Sequence, residues 1–355
     1  MKKLLRKIKT FRLKKNLKKP FKLSKTLRIG ITGAGTQGKQ LAMFAKKYGA
    51  EIVAVHDINL DSAKKLSKDI DAKFATTDIE NFFNVPMDGL LVCTLPTIRV
   101  DPILRACSKK IHLLVEKPPA YNLIEGRKCL AAIKKSNVIA GVGFQLRYEP
   151  RYKKLKQLVS QHEVHLVRTT ITVDYYLNLK MSPWLLKKQI SGGPISEQAI
   201  HLLDCVRFIF GNPKAIKAAT IATKNMARYR KEFDAENSLQ LIYELDNGII
   251  GVHTNHCGHD KPRFDLELIG PRLQLEANAT ETKIHGTING QKINEDLTVK
   301  NDVGLDKVGA WLKAIETNDH HFIQSSYEEA MNTQALVDAA IKSQSTSHIE
   351  SVESI

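Results

Sequence analysis

Short apolar runs alternate with longer amphipathic stretches over the first part of the chain. The strand-like runs are 27–32, 51–56, 89–93, 111–115 and 138–144, and the helical runs between them are 37–48, 61–70, 100–108 and 121–135. Strand–helix–strand order repeated at this spacing requires crossover connections, and therefore predicts a parallel sheet covered by helices on both faces. We predict a doubly wound α/β domain of the Rossmann type at 27–145.

After about Tyr148 the pattern changes to longer, alternating strands joined by turn residues. The turn signals are Asp246-Asn247-Gly248, Gly270-Pro271 and Asn289-Gly290, each of which follows a strand-like run. Such dipeptides are typical of hairpins. Helical runs accompany them at 196–210, 305–316 and 327–343. We predict a C-terminal α+β domain at 146–355 with a largely antiparallel, open sheet.

Charge is concentrated in an N-terminal tail, which we define as residues 1–26. The formal net charge is +17, but the tail contributes twelve Lys or Arg and no acid, which leaves +5 for the remainder. A nucleic-acid-binding face on the folded domains is therefore not indicated. The tail fits two descriptions, a solvated, disordered extension or a basic amphipathic segment that lies on an anionic membrane or glycan.

Composition also bears on the compartment. The chain has no run of about 18 apolar residues, which excludes a transmembrane helix. Its five cysteines are odd in number and form no Cys-x-x-Cys pair, which is typical of a reducing compartment. We predict a cytoplasmic protein, with residues 1–26 as the segment that would bring it to the periphery of a membrane.

A glycine-rich loop follows the first predicted strand directly. Residues 33–38 read Gly-Ala-Gly-Thr-Gln-Gly and precede an amphipathic helix. In this context Gly33 permits a tight turn, Gly35 lets the backbone approach a pyrophosphate, and Gly38 allows close packing of helix on strand. The helix N-terminus then faces the phosphate charge. The predicted cofactor-binding residues of this loop are Gly33, Gly35, Thr36, Gln37 and Gly38.

An acidic residue ends the second predicted strand. Asp57 lies 24 residues after Gly33, where a carboxylate accepts hydrogen bonds from the adenosine ribose of a dinucleotide. A carboxylate at this position repels a 2′-phosphate, and residues 58–62 contain no arginine. The sequence therefore favours NAD over NADP.

Three blocks resemble the Gfo/Idh/MocA family, the proteins similar to glucose–fructose oxidoreductase and inositol dehydrogenase. They are Glu116-Lys117-Pro118 after a strand of the first domain, the Gly-rich turn and helix at 191–204, and the domain junction at 143–150. The resemblance covers nearly the whole chain after the tail. It implies a nicotinamide-dependent oxidoreductase that acts on a small polyol-, inositol- or sugar-like substrate, assembled as a homodimer or homotetramer.

The second block carries acid and base groups at helical spacing. Glu197, His201 and Asp204 lie at positions i, i+4 and i+7, which places them on one face of an α-helix. Oxidation of a hydroxyl group needs a base for the proton and a cation for the developing alkoxide. His201 suits the first role and Lys117 the second, although the sequence leaves open which takes the proton. We expect the two to meet near the nicotinamide.

The resemblance extends these assignments residue by residue. The predicted catalytic residues are Lys117, His201 and Glu197. Further cofactor contacts are predicted at Thr94, Pro96, Glu116 and Lys117. Substrate contacts are predicted at Lys117, Arg147, Trp184, Glu197 and His201.

Two positions depart from the family pattern. The acid of the substrate helix is often Asp and here is Glu197, which should alter substrate fit more than reaction type. The family commonly has a His a few residues after the segment that corresponds to Thr94-Leu95-Pro96, whereas this chain continues Thr97-Ile98-Arg99. One edge of the nicotinamide pocket should therefore differ.

Two other functions remain as hypotheses from the sequence: a glycoside-cleaving enzyme that uses NAD transiently, and a non-enzymatic, dinucleotide-binding regulator. The joint presence of Lys117, Glu197 and His201 argues against the regulator.

The cluster His253, His256 and His259 suggests a metal by composition, but a spacing of three puts the first two on opposite faces of a strand, so no metal site is predicted. Substrate, reaction direction and subunit number are not fixed by the sequence.

Overall fold

The computed structural model describes residues 21–174, 182–224, 231–278, 283–297 and 302–355. By their internal contacts these residues form two compact units. The N-terminal unit holds 21–148 and 302–331, and the C-terminal unit holds the described residues of 149–297 together with 332–355. Residues 1–20, most of the predicted basic tail, lie outside the described part of the chain.

The N-terminal unit has the predicted alternation of strands and helices. Its strands are β1 (Arg28–Thr32), β2 (Glu51–His56), β3 (Phe74–Thr76), β4 (Gly89–Val92), β5 (His112–Val115) and β6 (Ala140–Val142). Its helices are α1 (Thr36–Tyr48), α2 (Leu60–Ile70), α3 (Ile79–Phe83), α4 (Val100–Ser108) and α5 (Leu123–Ser136). The strands pair in parallel in the order β3-β2-β1-β4-β5-β6. This strand order is the one found in dinucleotide-binding domains, with its topological switch between β1 and β4.

The core of this unit includes a helix from the C-terminal part of the sequence. Helix α9, which we define here as Val303–Thr317, buries Val308, Trp311 and Leu312 against the strands and α1. Gly89 in β4 allows this packing, since an added Cβ would lie 2.8 Å from the Trp311 ring. The predicted boundary at 145/146 assigned the helix to the second domain, whereas its apolar face completes the first.

Part of the predicted tail packs on the same unit. Ser24 donates its hydroxyl to Glu316 Oε1 at 2.8 Å, and the Leu23 amide donates to the Tyr48 carbonyl at 3.1 Å. The Phe21 and Tyr48 rings lie 4.7 Å apart. Residues 21–26 are therefore a folded extension of the Rossmann unit, and their predicted grouping with residues 1–20 differs from the structure in this respect.

The C-terminal unit combines one large sheet with helices. Its helices are α6 (Pro150–Val159), α7 (Lys188–Ser191) and α8 (Ile200–Ile209), and α10 (Tyr327–Thr346) runs from the N-terminal unit into it. Its strands are β7 (Leu166–Asp174), β8 (Ala215–Thr223), β9 (Ser238–Leu245), β10 (Ile250–His256), β11 (Gly258–Gly270), β12 (Leu273–Asn278), β13 (Lys283–Ile288), β14 (Gln291–Asp296) and β15 (Glu350–Ser351).

The strand order of this sheet confirms the prediction of a largely antiparallel arrangement. It runs β14-β13-β12-β11-β7-β10-β9-β8-β15, and β7 with β10 is a parallel pair. The three predicted turns join β9 to β10, β11 to β12, and β13 to β14. Asn289 and Gly290 both have positive φ, 51° and 77°, as a type I′ hairpin turn requires.

Within the described residues, none of the helices has the length and apolar character needed to cross a membrane.

Candidate active site

The glycine-rich loop has the geometry that its sequence predicts. Gly33 has φ +95°, and an added Cβ would lie 2.5 Å from the Cys93 carbonyl carbon. At Gly38 an added Cβ would collide with the Gly33 carbonyl oxygen. At Gly35 no heavy atom of the described residues, chain neighbours aside, lies within 4 Å of the same position. Gly33 and Gly38 therefore shape the turn, while Gly35 leaves open space beside the backbone.

The start of α1 is suited to an anion. Gly35 is its N-cap and provides no side-chain cap, and the first turn contains no acidic residue. Thr36 and Gln37 are exposed in this turn. Uncapped N–H groups and the positive end of the helix dipole are the features that favour a phosphate group at a helix start.

A cavity of about 560 Å³ opens at the carboxyl ends of β1, β2 and β4. Thr32, His56 and Thr94 are part of its lining, and the exposed apolar side chains Ile58 and Ile98 lie at its edge. Its position at the topological switch of the sheet and its volume are typical of a nucleotide site. Of the predicted cofactor residues nearby, Thr94 is half-buried and Pro96 is buried.

Asp57 is held beside the glycine-rich loop. Its Oδ2 accepts a hydrogen bond from the Ala34 amide at 2.7 Å, and its Oδ1 accepts one from the Asn59 amide at 2.9 Å. These bonds fix a half-buried carboxylate at the end of β2, close to the phosphate loop. A carboxylate fixed in this way can still accept hydrogen bonds from hydroxyl groups through its other lone pairs.

Lys117 is the half-exposed residue of an otherwise buried segment. Within 113–120, which the structure describes in full, every other residue is buried. The segment follows β5, at the ligand-binding edge of the sheet. The fold therefore presents the Lys117 side chain while it encloses the residues on either side.

Glu116, predicted to contact the cofactor, forms a buried ion pair instead. Its Oε1 accepts from Lys307 Nζ of α9 at 2.7 Å, and the exposed fractions of the two side chains are 8% and 3%. Burial alone would raise the pKa of the Glu116 carboxyl, but the Lys307 charge, aided by Lys117 and Arg99, holds it below its ordinary value. This placement favours a structural role for the side chain.

Arg99, which marked a departure from the family pattern, is buried beneath the same segment. It follows a 3-10 turn, Pro96–Ile98, and donates to the main-chain carbonyls of Thr94, Glu116 and Pro118. Sequence reasoning did not assign Arg99 or Lys307 to the site. Two features of the sequence could have indicated them. Arg99 lies where the family commonly has a histidine, and Lys307 lies four residues before the core residue Trp311, on the buried side of α9.

Glu197 and His201 also stand out from a buried stretch. Gly192 and Gly193 both have positive φ, 74° and 77°, and Pro194 starts the helical segment. Residues 195–199 form a π-helical turn that continues into α8. Within 193–209, described throughout, Glu197 and His201 alone are half-exposed.

This geometry corrects the prediction of one regular α-helix with three aligned side chains. The π turn replaces the α-helical spacing across 195–199, a feature often found at functional sites. Asp204 does not share the exposed face, because it is 0% exposed and accepts from Thr333 Oγ1 at 3.0 Å. The exposed pair is therefore Glu197 and His201.

The π turn is anchored to the sheet through Gln198. Asn255 Nδ2 of β10 donates to Gln198 Oε1 at 3.0 Å, and Gln198 Nε2 lies 3.6 Å from Cys257 Sγ. Cys257 also packs with Leu186, from the 3-10 turn Pro183–Leu186 that holds the half-buried Trp184. One buried cluster thus supports both the Glu197 turn and the Trp184 turn.

Arg147, predicted to bind substrate, is 0% exposed. Its Nη1 donates to the Gln324 carbonyl at 2.9 Å, and its Nη2 pairs with Glu329 Oε1 at 3.1 Å. A guanidinium that is enclosed and paired in this way favours a structural role near the start of α10.

The histidines of β10 point in the predicted opposite directions. His253 is buried, and its Nδ1 lies 2.8 Å from Thr169 Oγ1, while half-buried His256 contacts Ser238 Oγ at 2.8 Å. Burial lowers the pKa of His253 to about 4. In the described parts of the chain no three His, Cys, Asp or Glu side chains are grouped so as to hold a metal ion.

Fold and site together define an oxidoreductase with a dinucleotide-binding Rossmann domain. Residues 27–144 match the oxidoreductase family described as an NAD-binding Rossmann fold, and residues 156–353 match the corresponding C-terminal alpha/beta domain. The chain belongs to the Gfo/Idh/MocA family, which confirms the resemblance seen in the sequence.

Individual relatives are more distant. The chain is 28% identical over 247 residues to the uncharacterized oxidoreductase YrbE of Bacillus subtilis, which covers 66% of this chain and 68% of that protein. It is 27% identical over 268 residues to myo-inositol 2-dehydrogenase of Thermotoga maritima, and this match covers 73% of this chain and 77% of that protein. Among solved structures, levoglucosan dehydrogenase in complex with NADH gives a TM-score of 0.82 at 16% identity, covering 93% of this chain and 100% of that one.

The residues present fit the nicotinamide dinucleotide that the family implies. The open side of Gly35 and the uncapped start of α1 suit the pyrophosphate, and the fixed Asp57 carboxylate suits a ribose. The cavity at the switch of the sheet has the volume for a nucleoside.

Proposed function

We propose that this protein is an NAD-dependent dehydrogenase that oxidises a secondary hydroxyl group of a polyol, inositol or sugar derivative. The observation that carries the proposal is the exposure pattern: Lys117, Glu197 and His201 each reach the surface from a stretch of buried neighbours. Relatives named myo-inositol 2-dehydrogenase, scyllo-inositol 2-dehydrogenase and glucose-6-phosphate 3-dehydrogenase support the substrate class. A small-molecule substrate of several hydroxyl groups suits one ammonium, one imidazole and one carboxylate.

Each of these side chains has a distinct role in the proposal. Bound NAD would accept the hydride from the substrate carbon. The Lys117 ammonium stabilises the oxygen as it becomes an alkoxide, and neutral His201 takes the hydroxyl proton. In the alternative, a neutral Lys117 amine takes the proton and a protonated His201 stabilises the oxygen. Glu197 accepts hydrogen bonds from neighbouring hydroxyl groups and so orients the ring.

The preference for NAD rests on Asp57. Its carboxylate is fixed by the Ala34 and Asn59 amides and has little freedom to move away from an incoming group. A 2′-phosphate would place about two further negative charges near it, and like charges in a partly buried site repel strongly. The ribose of NAD offers hydroxyl donors instead.

A substrate panel tests the proposal. Purified protein is incubated with NAD and, separately, with NADP, together with myo-inositol, scyllo-inositol, levoglucosan and glucose 6-phosphate, while cofactor reduction is followed by absorbance. We expect stoichiometric NADH formation with at least one member of the panel. Substrate consumption without net NADH would favour transient redox chemistry of the glycoside-cleaving type, and binding of NAD without any turnover across a wider polyol panel would contradict the proposal.

A further inference from the structure

One guanidinium group holds the main chain on both sides of Lys117. Arg99 Nη1 donates to the Glu116 carbonyl at 2.6 Å, and the same nitrogen donates to the Pro118 carbonyl. Arg99 Nη2 donates to the Thr94 carbonyl at 2.5 Å. These carbonyls belong to the loops that follow β4 and β5, two neighbouring parallel strands. Arg99 therefore ties both loops together at the edge of the sheet where ligands bind.

Burial makes these bonds strong. Arg99 is 3% exposed, and burial lowers its pKa to about 10, with the Glu116 charge acting in the opposite direction. The group stays cationic at neutral pH, so all three bonds are charge-assisted. The planar fork of arginine fixes the relative positions of its acceptors, which a lysine ammonium or a histidine with at most two ring N–H donors cannot do.

Other contacts support the segment at more distant points. The Lys307 ammonium holds the Glu116 side chain, and the Tyr327 hydroxyl donates to the Pro119 carbonyl at 3.0 Å. Neither bonds the Glu116 carbonyl, which belongs to the peptide group immediately before Lys117. That peptide group sets the position and direction of the Lys117 Cα–Cβ bond, from which its flexible side chain extends.

We propose that Arg99 is a positioning residue that fixes the backbone of Lys117 and thereby places its ammonium group at the reacting hydroxyl. This inference rests on the proposed function, because it assigns Arg99 a part in the same reaction. Arg99 itself lies beneath the loop and acts through Lys117. A displacement of about 1 Å in a reacting group can cost about a hundredfold in rate.

A double-mutant cycle tests this on the full-length protein. We compare wild type, Arg99→Met, Lys117→Met and the double variant, using the panel substrate that wild type turns over fastest, and measure kcat/KM, NAD affinity and Tm. If Lys117→Met leaves no measurable steady-state turnover, NADH formation at high enzyme concentration is followed instead, and Arg99→Lys replaces Arg99→Met if the latter does not fold. Arg151→Met is the matched control, since Arg151 is 4% exposed, pairs with Glu149 and donates to the Asn278 carbonyl in the C-terminal unit.

We expect Arg99→Met to lower kcat/KM of the folded protein by about a hundredfold. In the Lys117→Met background the same change should lower it by less than about threefold, because the two residues act as one unit. Arg151→Met should lower Tm and leave kcat/KM of the folded fraction near wild type. An Arg99 variant with normal kcat/KM, or one with an equal loss in both backgrounds, would overturn the inference.

The same measurements separate this inference from the proposed function. A wild-type protein without activity on any polyol, or a Lys117→Met variant with normal turnover, contradicts the proposed function. An active wild type, an impaired Lys117→Met and a normal Arg99→Met contradict the positioning role alone.

Discussion

Lys307 Nζ lies 2.7 Å from Glu116 Oε1, and this ion pair joins helix α9 to the segment that carries Lys117. Because both side chains are buried, removal of one partner strands a charge in the protein interior. We expect Lys307→Met to destabilise the protein by about 3–5 kcal/mol, and Lys307→Met with Glu116→Gln to recover most of that loss. Urea unfolding at pH 7 measures both. Equal stability of Lys307→Met and wild type would contradict a buried pair.

The pair also predicts a pH dependence. The pKa of Glu116 is lowered in the folded state, so its contribution to stability is full above the ordinary carboxyl pKa of about 4.3 and is lost as pH falls through the lowered value. Wild type should therefore lose stability relative to the double variant as pH falls below about 4, because only wild type has the Glu116 carboxyl to protonate. A difference that stays constant down to the acid unfolding transition would show that Glu116 titrates normally.

Gly35 and Gly38 should respond differently to alanine. Gly35 has φ −72° and open space at the Cβ position, so Gly35→Ala should keep the stability of wild type but weaken NAD binding by about tenfold or more, as its methyl group meets the pyrophosphate. Gly38→Ala should lower Tm, because its Cβ collides with the Gly33 carbonyl. Calorimetric titration with NAD and thermal unfolding separate the two effects. Undiminished NAD affinity in Gly35→Ala would place the pyrophosphate elsewhere.

Asp57 should set the choice of cofactor. We expect wild type to bind NAD at least about tenfold more tightly than NADP, and Asp57→Ser to narrow or invert that ratio because the repelling charge is removed. Fluorescence titration of both reduced cofactors gives the dissociation constants. A wild-type preference for NADP of about tenfold, equivalent to about 1.4 kcal/mol, is incompatible with this assignment.

Glu197 and His201 should differ in their kinetic effects. Glu197→Gln retains shape and loses charge, so we expect it to raise KM more than it lowers kcat if Glu197 binds substrate hydroxyl groups. His201→Asn should lower kcat by about a hundredfold, as expected for loss of a proton-transfer group. Steady-state kinetics with the best panel substrate give both parameters. Asp204→Asn is the comparison, since Asp204 is buried against Thr333 and should affect stability rather than either parameter.

The sequence predicted most of the fold because local patterns and topology agree there. Glycine and asparagine mark the glycine-rich loop and the hairpin turns, because few other residues adopt the tight or left-handed backbone these places need. Asp57 could be predicted from its distance along the chain from the loop. The π turn at 195–199 could not be predicted, because an α-helix and a π turn share the same apolar pattern. Nor could the partners of Glu116 and Arg147, since α9 and the start of α10 pack on a unit that lies far away in sequence.

The turnover of Lys117→Met decides whether Lys117 takes part in the proposed reaction. Methionine keeps most of the length of the side chain and removes its charge, while the buried neighbours of Lys117 are left in place. With NAD and the best panel substrate, we expect kcat to fall by about a hundredfold or more while NAD affinity and Tm stay near wild type. Near-normal kcat in a folded, NAD-binding Lys117→Met protein would contradict a catalytic role for Lys117.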